Sequence, residues 1–425
     1  MVTVFAGLVV NALLARLLTP EAMGAYFLTF SVVMVSAMLA QLGLNQTVVR
    51  LVAESLGVGK PGRARAVVRK AFLYGTVGAL VVAVLLSIGV GRWLALKAFD
   101  SSLMAAVIGL AALWVVVMTL QGLLAESFRG FHDIRLATIF GGLVTSVLSA
   151  ALFAGLWIIQ GHSQLGQVLV LCILAGSTSA VIAGVVLWNS VKDLKGQSEL
   201  KNGEILTIAW PILVSQLTFF ILTQADIWIV GIFRTKEEVA IYGAAVRLVA
   251  LVAMPLVIVN AVVPPMIAEM YAQGKRRELE QALRTTATLA GIPAFLVLFV
   301  FICFGRPLLG TVFGTFYSNG AMVLSILSLG QLAKLSMGSC GLLLNMTGHQ
   351  YPAMIIAACC SFVMIAVALA SVSSLGITGV AIASASGLAL QGLVTAAAGS
   401  RLTGIKSYVL FSTRMKSPLS QRHGE

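Results

Sequence analysis

The sequence predicts an all-α polytopic membrane protein, with about twelve transmembrane helices in two pseudo-symmetric six-helix bundles. Three observations lead there: a very apolar composition, a series of segments long enough to span a bilayer, and a repeat between the two halves of the chain. Of 425 residues, 59% are hydrophobic and only 10% are charged. A soluble domain carries about 25% charged residues. Such a chain is too apolar for water and too long for one buried core.

Many of the apolar runs reach the roughly 20 residues that cross the hydrocarbon layer as a helix. The candidate spans are 2–18, 24–48, 71–93, 103–126, 137–159, 166–189, 206–231, 239–266, 286–305, 319–343, 352–373 and 376–399. Little more than Ser373, Ser374 and Gly376 divides the last two. The first run, MVTVFAGLVVNALLAR, lacks a basic leader and a small-residue cleavage site. It therefore reads as a membrane helix, not a cleaved signal. Its shortness raises the expectation of a natural start further upstream.

Orientation follows from the placement of Lys and Arg. The formal net charge is +13, but the cations sit between apolar runs and do not form a basic domain. With the N-terminus inside, twenty Lys and Arg residues fall on the cytoplasmic side and six outside. The inside set includes the cluster GKPGRARAVVRK (59–70), Arg129, Arg135, Lys192, Lys195, Lys201, residues 275–284 and the tail from Arg401. The outside set is Arg16, Arg92, Lys97, Arg234, Lys236 and Arg306. That asymmetry places both termini in the cytoplasm and requires an even number of spans. The basic cluster at 59–70 suits anionic lipid or a substrate headgroup, or serves as a topology signal alone. Trp93, Trp157, Trp188, Trp210 and Trp228 fall near predicted helix ends, where indole rings favour the lipid interface; Trp114 sits mid-helix.

The halves repeat. RLLTPEAMGAY (16–26) aligns with IFRTKEEVAIY (232–242), matching Thr19, Glu21 and Tyr26 to Thr235, Glu237 and Tyr242. GKPGRARAVVRKA (59–71) parallels GKRRELEQALRTT (274–286), and GLLAESFRGFH (122–132) resembles GLLLNMTGH (341–349). Six helices per half gives both halves one orientation, related by an axis along the membrane normal. The expected division is an N-terminal bundle over 1–195, a C-terminal bundle over 196–400 and a basic cytoplasmic tail over 401–425.

The segments ARLLTPEAMGAYFLTFSVV and QLGLNQTVVRLVAE, followed by a basic loop, resemble the start of bacterial polysaccharide transporters. PILVSQLTFFILTQADIWIVGIF and LLLNMTGHQYPAM in the second half are similar to the same family, the oligosaccharide flippases of the multidrug/oligosaccharidyl-lipid/polysaccharide exporter superfamily. The resemblance extends over nearly the whole chain; family members usually begin further upstream. It implies a MATE-like fold that moves an undecaprenyl-pyrophosphate-linked oligosaccharide from the cytoplasmic to the periplasmic leaflet by alternating access around a central, often cationic cavity. It further implies the inner membrane of a bacterium and assembly of a surface polysaccharide such as O-antigen, lipopolysaccharide or exopolysaccharide. Membrane lipids, a glycan polymerase and other assembly proteins are the expected partners; nucleic acid is not.

A pyrophosphate and its sugars cannot cross hydrocarbon unaided, so a carrier needs a polar, preferably cationic cavity. Ionisable residues inside spans cost at least about 2.5–3.5 kcal/mol each at mid-bilayer and mark pathways or pairs. Three stand out: Asp226, Arg247 and Lys334. Asp226 and Arg247 lie about equally far from their connecting loop and are expected to face each other or one cavity. On the functional reading Arg247 and Lys334 contact pyrophosphate through charge-assisted hydrogen bonds, and Asp226 either holds Arg247 or titrates with a coupling proton. On the structural reading Asp226 and Arg247 pair and Lys334 snorkels to the interface. Gln224, Asn45 and Gln331 join them as candidate substrate contacts. Asn11, Gln41, Gln46, Gln121, Gln216, Asn260 and Asn345 are further amides that suit sugar hydroxyls or helix–helix bonds. Glu126 and Arg129, at the cytoplasmic end of the fourth span, suggest a solvated interfacial role. Pro211, Pro255 and Pro293 predict kinks, and Pro264 with Pro265 an end to the eighth helix.

The five cysteines all lie in apolar runs, and no CxxC, His cluster, Walker or GxGxxG pattern appears, so neither a metal nor any cofactor is expected. A cation-coupled multidrug or metabolite exporter of the same superfamily is the main alternative. It would want an acidic site in helices 1 to 3, which hold no Asp or Glu well inside the bilayer. A membrane glycan ligase or polymerase would need a large outside loop, and the outside loops are short. A scaffold recruiting glycan enzymes remains the non-transport option. The chain is expected not to be an enzyme.

Overall fold

The computed structural model describes residues 2–57, 59–192, 194, 196, 203–272, 274–347 and 349–405. Lys195, Lys201 and the tail cations from Lys406 lie outside the described residues, as do the side chains of Gln46, Gln216 and Asn260. Among the described residues the chain is helical, without strands. The elements are α1 (Val2–Leu17), α2 (Pro20–Ala40), α3 (Leu44–Gly57), α4 (Pro61–Ala98), α5 (Ser102–Ala106), α6 (Ile108–Gly130), α7 (Ile134–Gln160), α8 (Leu165–Val191), α9 (Glu204–Phe233), α10 (Lys236–Ala272), α11 (Arg276–Phe313), α12 (Ala321–Ser336), α13 (Cys340–Met346) and α14 (Gln350–Thr403). Eight of the described helices are long and apolar enough to cross a membrane.

The predicted spans recur with four differences, the first being an interruption of the fourth span at Val107, between α5 and α6. The second span is cut at residues 41–43, where Leu42 and Gly43 take positive φ of 51° and 76°. Gly43 leaves room there for the α9 backbone at Ala209 and Leu213, which a Cβ would strike. The tenth span is likewise cut, at Met337–Ser339, into α12 and α13. The last two spans form one helix bent at Gly376 (φ 60°, ψ −144°), a conformation that is essentially glycine's alone. Pro264 and Pro265 do not end the eighth span; α10 runs on to Ala272, as membrane helices often continue through proline. The basic segment 59–70 is also not a loop: α4 starts at Pro61 and carries Arg63, Arg65, Arg69 and Lys70 on its first turns. Glu126 and Arg129 pair, at 2.7 Å, with Arg129 half exposed.

The threonines matched by the repeat do the same work in each half. Thr19 Oγ1 accepts from the Ala22 N–H at the start of α2, and Thr235 Oγ1 accepts from the Glu238 N–H at the start of α10. Glu238 Oε2 accepts in return from the Thr235 N–H, closing a capping box.

Buried apolar side chains gather into three clusters. One joins the halves: it runs from Leu14, Phe27 and Leu28 through Val230, Tyr242 and Leu248 to Phe313, Leu324 and Val380. It occupies the level where α2 and α10 begin. At the opposite level, where the basic segments lie, the described core divides. One cluster holds Leu44, Val52, Val67, Phe128 and Leu187 with Ile205 and Ala209, and the other Val263, Ile267, Leu279, Leu343 and Ile405. Among the described residues the halves thus share one cluster at the first end, while at the other the core lies in two clusters, the larger of which also takes in Ile205 and Ala209 of α9.

Candidate functional site

A cavity of about 270 Å³ lies inside the C-terminal half, lined by Asp226 of α9, Val246 and Val249 of α10, Leu327, Gln331 and Lys334 of α12, and both arms of α14. Leu327, Gln331 and Lys334 stand at i, i+4 and i+7, so one face of α12 turns inward. From α14 come Ser361 and Met364 on one arm and Ser384, Gly387 and Gln391 on the other. The bend at Gly376 folds the two arms back so that both wall the same space. Close approach of α12 to the second arm needs Gly330, where a Cβ would collide with the Ala385 backbone.

The walls are polar at both ends. Asp226 Oδ1 accepts from the Ile227 N–H at 2.8 Å and Oδ2 from the Tyr242 hydroxyl at 3.0 Å. That hydroxyl is 3.5 Å from Ser384 Oγ, and Tyr242 is fully buried. At the other end Lys334, half-buried, makes no hydrogen bond or ion pair with any described residue. Gln331 and Gln391 reach the same cavity.

Arg247 faces elsewhere. Its neighbours Val246 and Val249 line the cavity, and a step of one residue turns about 100° round a helix. Its guanidinium carbon lies 5.1 Å from the Phe30 ring centroid and 5.6 Å from that of Phe27, both on α2. It therefore sits in the seam between the halves as a cation over aromatic faces. The seam is tight: a Cβ on Gly24 would collide with the Lys236 carbonyl, and one on Gly243 with the Phe27 ring. Trp228 Nε1 donates to Ser31 Oγ at 2.9 Å, and an Arg16 Nη donates to the Thr311 carbonyl at 2.8 Å. Trp114 packs against Phe30 and Tyr26 behind the seam, which explains its mid-helix position.

The geometry brings Asp226, Gln331 and Lys334 together and separates Arg247 from them. The expected Asp226–Arg247 pair does not form. Asp226 is seven residues from the end of α9 and Tyr242 six from the start of α10, so they share a depth. Arg247, eleven residues in, lies about 6 Å deeper than an equal count would put it. The cavity also departs from the expected position between the bundles, since every described lining residue belongs to the second half. Asn45 lies away from it, at the start of α3, where its Nδ2 donates to Gln41 Oε1 at 2.6 Å. Gln224, half-buried, does not line it, as its two-residue offset from Asp226 turns it to another face. Gln121 donates to the Phe140 carbonyl and Thr145 Oγ1 and so ties α6 to α7. Gln391 was open to the reasoning that found Gln331, a lone amide in an apolar span; Ser361, Ser384 and Tyr242 carried no such mark. Among the described residues no group of three or more His, Cys, Asp or Glu could hold a metal ion.

A family model described as "Polysaccharide biosynthesis protein" matches residues 1–271, and one described as MatE matches residues 211–370. Over 119 residues the chain is 27% identical to a Haloferax volcanii protein named a probable low-salt glycan biosynthesis flippase, Agl15, covering 27% of this chain and 25% of that one. The match thus spans a quarter of that relative's length. Among solved structures, an inward-facing multidrug resistance MATE family transporter of the MOP superfamily superposes with a TM-score of 0.77 at 16% identity, covering 95% of each chain. The lipid II flippase MurJ in an inward closed conformation gives a TM-score of 0.71 at 13% identity, over 93% of this chain and 85% of that one. At these identities the likeness is one of fold.

Proposed function

The chain belongs to the polysaccharide biosynthesis protein family, and on that premise we propose that it is a flippase for a lipid-linked oligosaccharide. The cargo is an undecaprenyl-pyrophosphate-linked oligosaccharide, moved from the cytoplasmic to the periplasmic leaflet for surface polysaccharide assembly. The observation that carries the reading is Lys334, an ammonium without a partner among the described residues, in a cavity that also holds the Gln331 and Gln391 amides. A charge withdrawn from water without a partner is unfavourable; an anionic, hydroxyl-rich cargo supplies one.

Alternating access follows from the divided core. The bundles over 1–195 and 196–400 rock about the α2–α10 seam, and the tail from 401 takes no part. With both termini cytoplasmic, the end where the described core divides into two clusters faces the cytoplasm, and this conformation is the one that loads cargo. Arg247, in the seam, takes the pyrophosphate when the seam opens, while Lys334 acts deeper in the C-terminal bundle.

The test is removal of the gene in its host. Lipid-linked glycan should then accumulate in the cytoplasmic leaflet, and Lys334→Gln at normal protein level should reproduce the accumulation. Glycan reaching the outer leaflet at the undisturbed rate would end the proposal. A cation-coupled exporter is the second reading, favoured by Asp226 in the same cavity. It predicts cation-driven dye efflux from proteoliposomes that Asp226→Asn abolishes.

A further inference from the structure

Resting on that reading, we propose that the cavity in the C-terminal bundle holds one acidic sugar residue of the glycan, with the sugar's carboxylate on the Lys334 ammonium and its hydroxyls on Gln331, Gln391 and the Ser384 end. Size is the first reason. About 270 Å³ lies just below the roughly 300–1,000 Å³ of small-molecule sites, so the cavity suits a single sugar unit with the rest of the glycan outside it.

Charge is the second. Lys334 is the one cation among the described lining residues, and it shares the space with Asp226. A singly charged carboxylate balances one ammonium. A pyrophosphate diester brings two negative charges, and each surplus charge is repelled by Asp226 across a medium less polarisable than water. Phosphate sites are typically built from Arg forks or helix N-termini, and the described lining residues supply neither.

Spacing is the third. The Asp226 end is marked by Ser384, beside Tyr242. The Lys334 end is marked by Gly392, where a Cβ would lie 3.3 Å from the Lys334 Cα. Eight residues of α14 separate the two marks, about 12 Å along a helix. The cavity therefore extends along α14, with the Asp226 carboxyl already bonded toward one end and the α12 position of Lys334 toward the other. A ligand entering it places its negative group at Lys334 and presents neutral hydroxyls to the rest.

The experiment uses the full chain in detergent and reads ligand-induced thermal stabilisation by D-glucuronate, D-glucose and inorganic pyrophosphate across the millimolar range. Glucuronate should bind at least about tenfold more tightly than glucose, the factor that 1.4 kcal/mol represents. Lys334→Gln should abolish that preference while leaving the unliganded melting temperature close to the parent's. Lys334→Arg should retain it, and Gln391→Ala should weaken both sugars alike. Equal binding of the two sugars, no glucuronate binding at all, or stabilisation by pyrophosphate alone would overturn the assignment. None of these results would touch the flippase reading, which stands or falls on leaflet accumulation after gene removal.

Discussion

Coupling between Arg247 and Phe30 across the seam should hold the two halves together, and a double-mutant cycle measures it. Phe30 is the nearer ring, 5.1 Å from the guanidinium carbon, inside the roughly 6 Å limit for cation–π attraction. Such contacts are worth about 0.5–1 kcal/mol when exposed and about 2 or more when desolvated. Arg247 is half-buried, so about 1–2 kcal/mol of coupling is expected, a shift of about 5- to 25-fold in the seam equilibrium. Arg247→Met and Phe30→Leu preserve apolar bulk while removing charge and ring face respectively. Their non-additivity then isolates the contact from the separate effect of relieving a buried charge. Electron–electron distances between spin labels on Ile159→Cys and Met322→Cys provide the readout. Both positions lie at the end where the halves share one cluster, one in each half, 81% and 63% exposed. The exposed natural cysteines Cys303 and Cys359 would first be replaced. Each single variant should raise the wide-distance population, and the double variant should raise it by less than their product. Strict additivity, or distances indifferent to both substitutions, would refute a latch role for Arg247.

Other consequences are as specific. Tyr242→Phe removes the hydroxyl that donates to Asp226 and should destabilise the protein by about 1.5–3 kcal/mol, the range for a hydrogen bond to a charged group; thermal unfolding should show that penalty shrink in an Asp226→Asn background. Gly376→Ala forces a Cβ onto φ 60°, ψ −144° at about 1–3 kcal/mol, with the Arg234 guanidinium 3.0 Å from the new atom; an unchanged melting temperature would show that the bend is not held there. Gly24→Ala drives a methyl into the Lys236 carbonyl and should pry the seam apart, seen as a wider distance distribution between the same two labels with both halves still folded.

Helix character and the conspicuous ionisable residues within spans were legible in the chain because hydrocarbon enforces them. A segment of roughly 20 apolar residues has no alternative to a helix in a bilayer, and an Asp, Arg or Lys within one is conspicuous because it is expensive. The repeat was legible for a local reason: Thr19 and Thr235 cap their helices through neighbours three residues away. The breaks at residues 41–43 and 337–339 were not, since glycine and small polar residues also occur inside unbroken helices, as at 176–179 in α8. Gly43 is needed where the α9 backbone passes, a fact about a helix more than 160 residues further on.

Sequence by itself determined that the chain is a helical membrane protein of this family and that Asp226, Arg247 and Lys334 are its exceptional residues. Only the tertiary structure decided their company. Hairpin depth matched Asp226 to Tyr242 instead of Arg247, helix rotation turned Arg247 into the seam and Lys334 into the cavity, and the fold at Gly376 closed that cavity within one half. The reason is that membrane insertion is scored segment by segment, on composition, whereas partners are chosen by helix lengths, rotations and close approaches. Those depend on residues far apart in the chain.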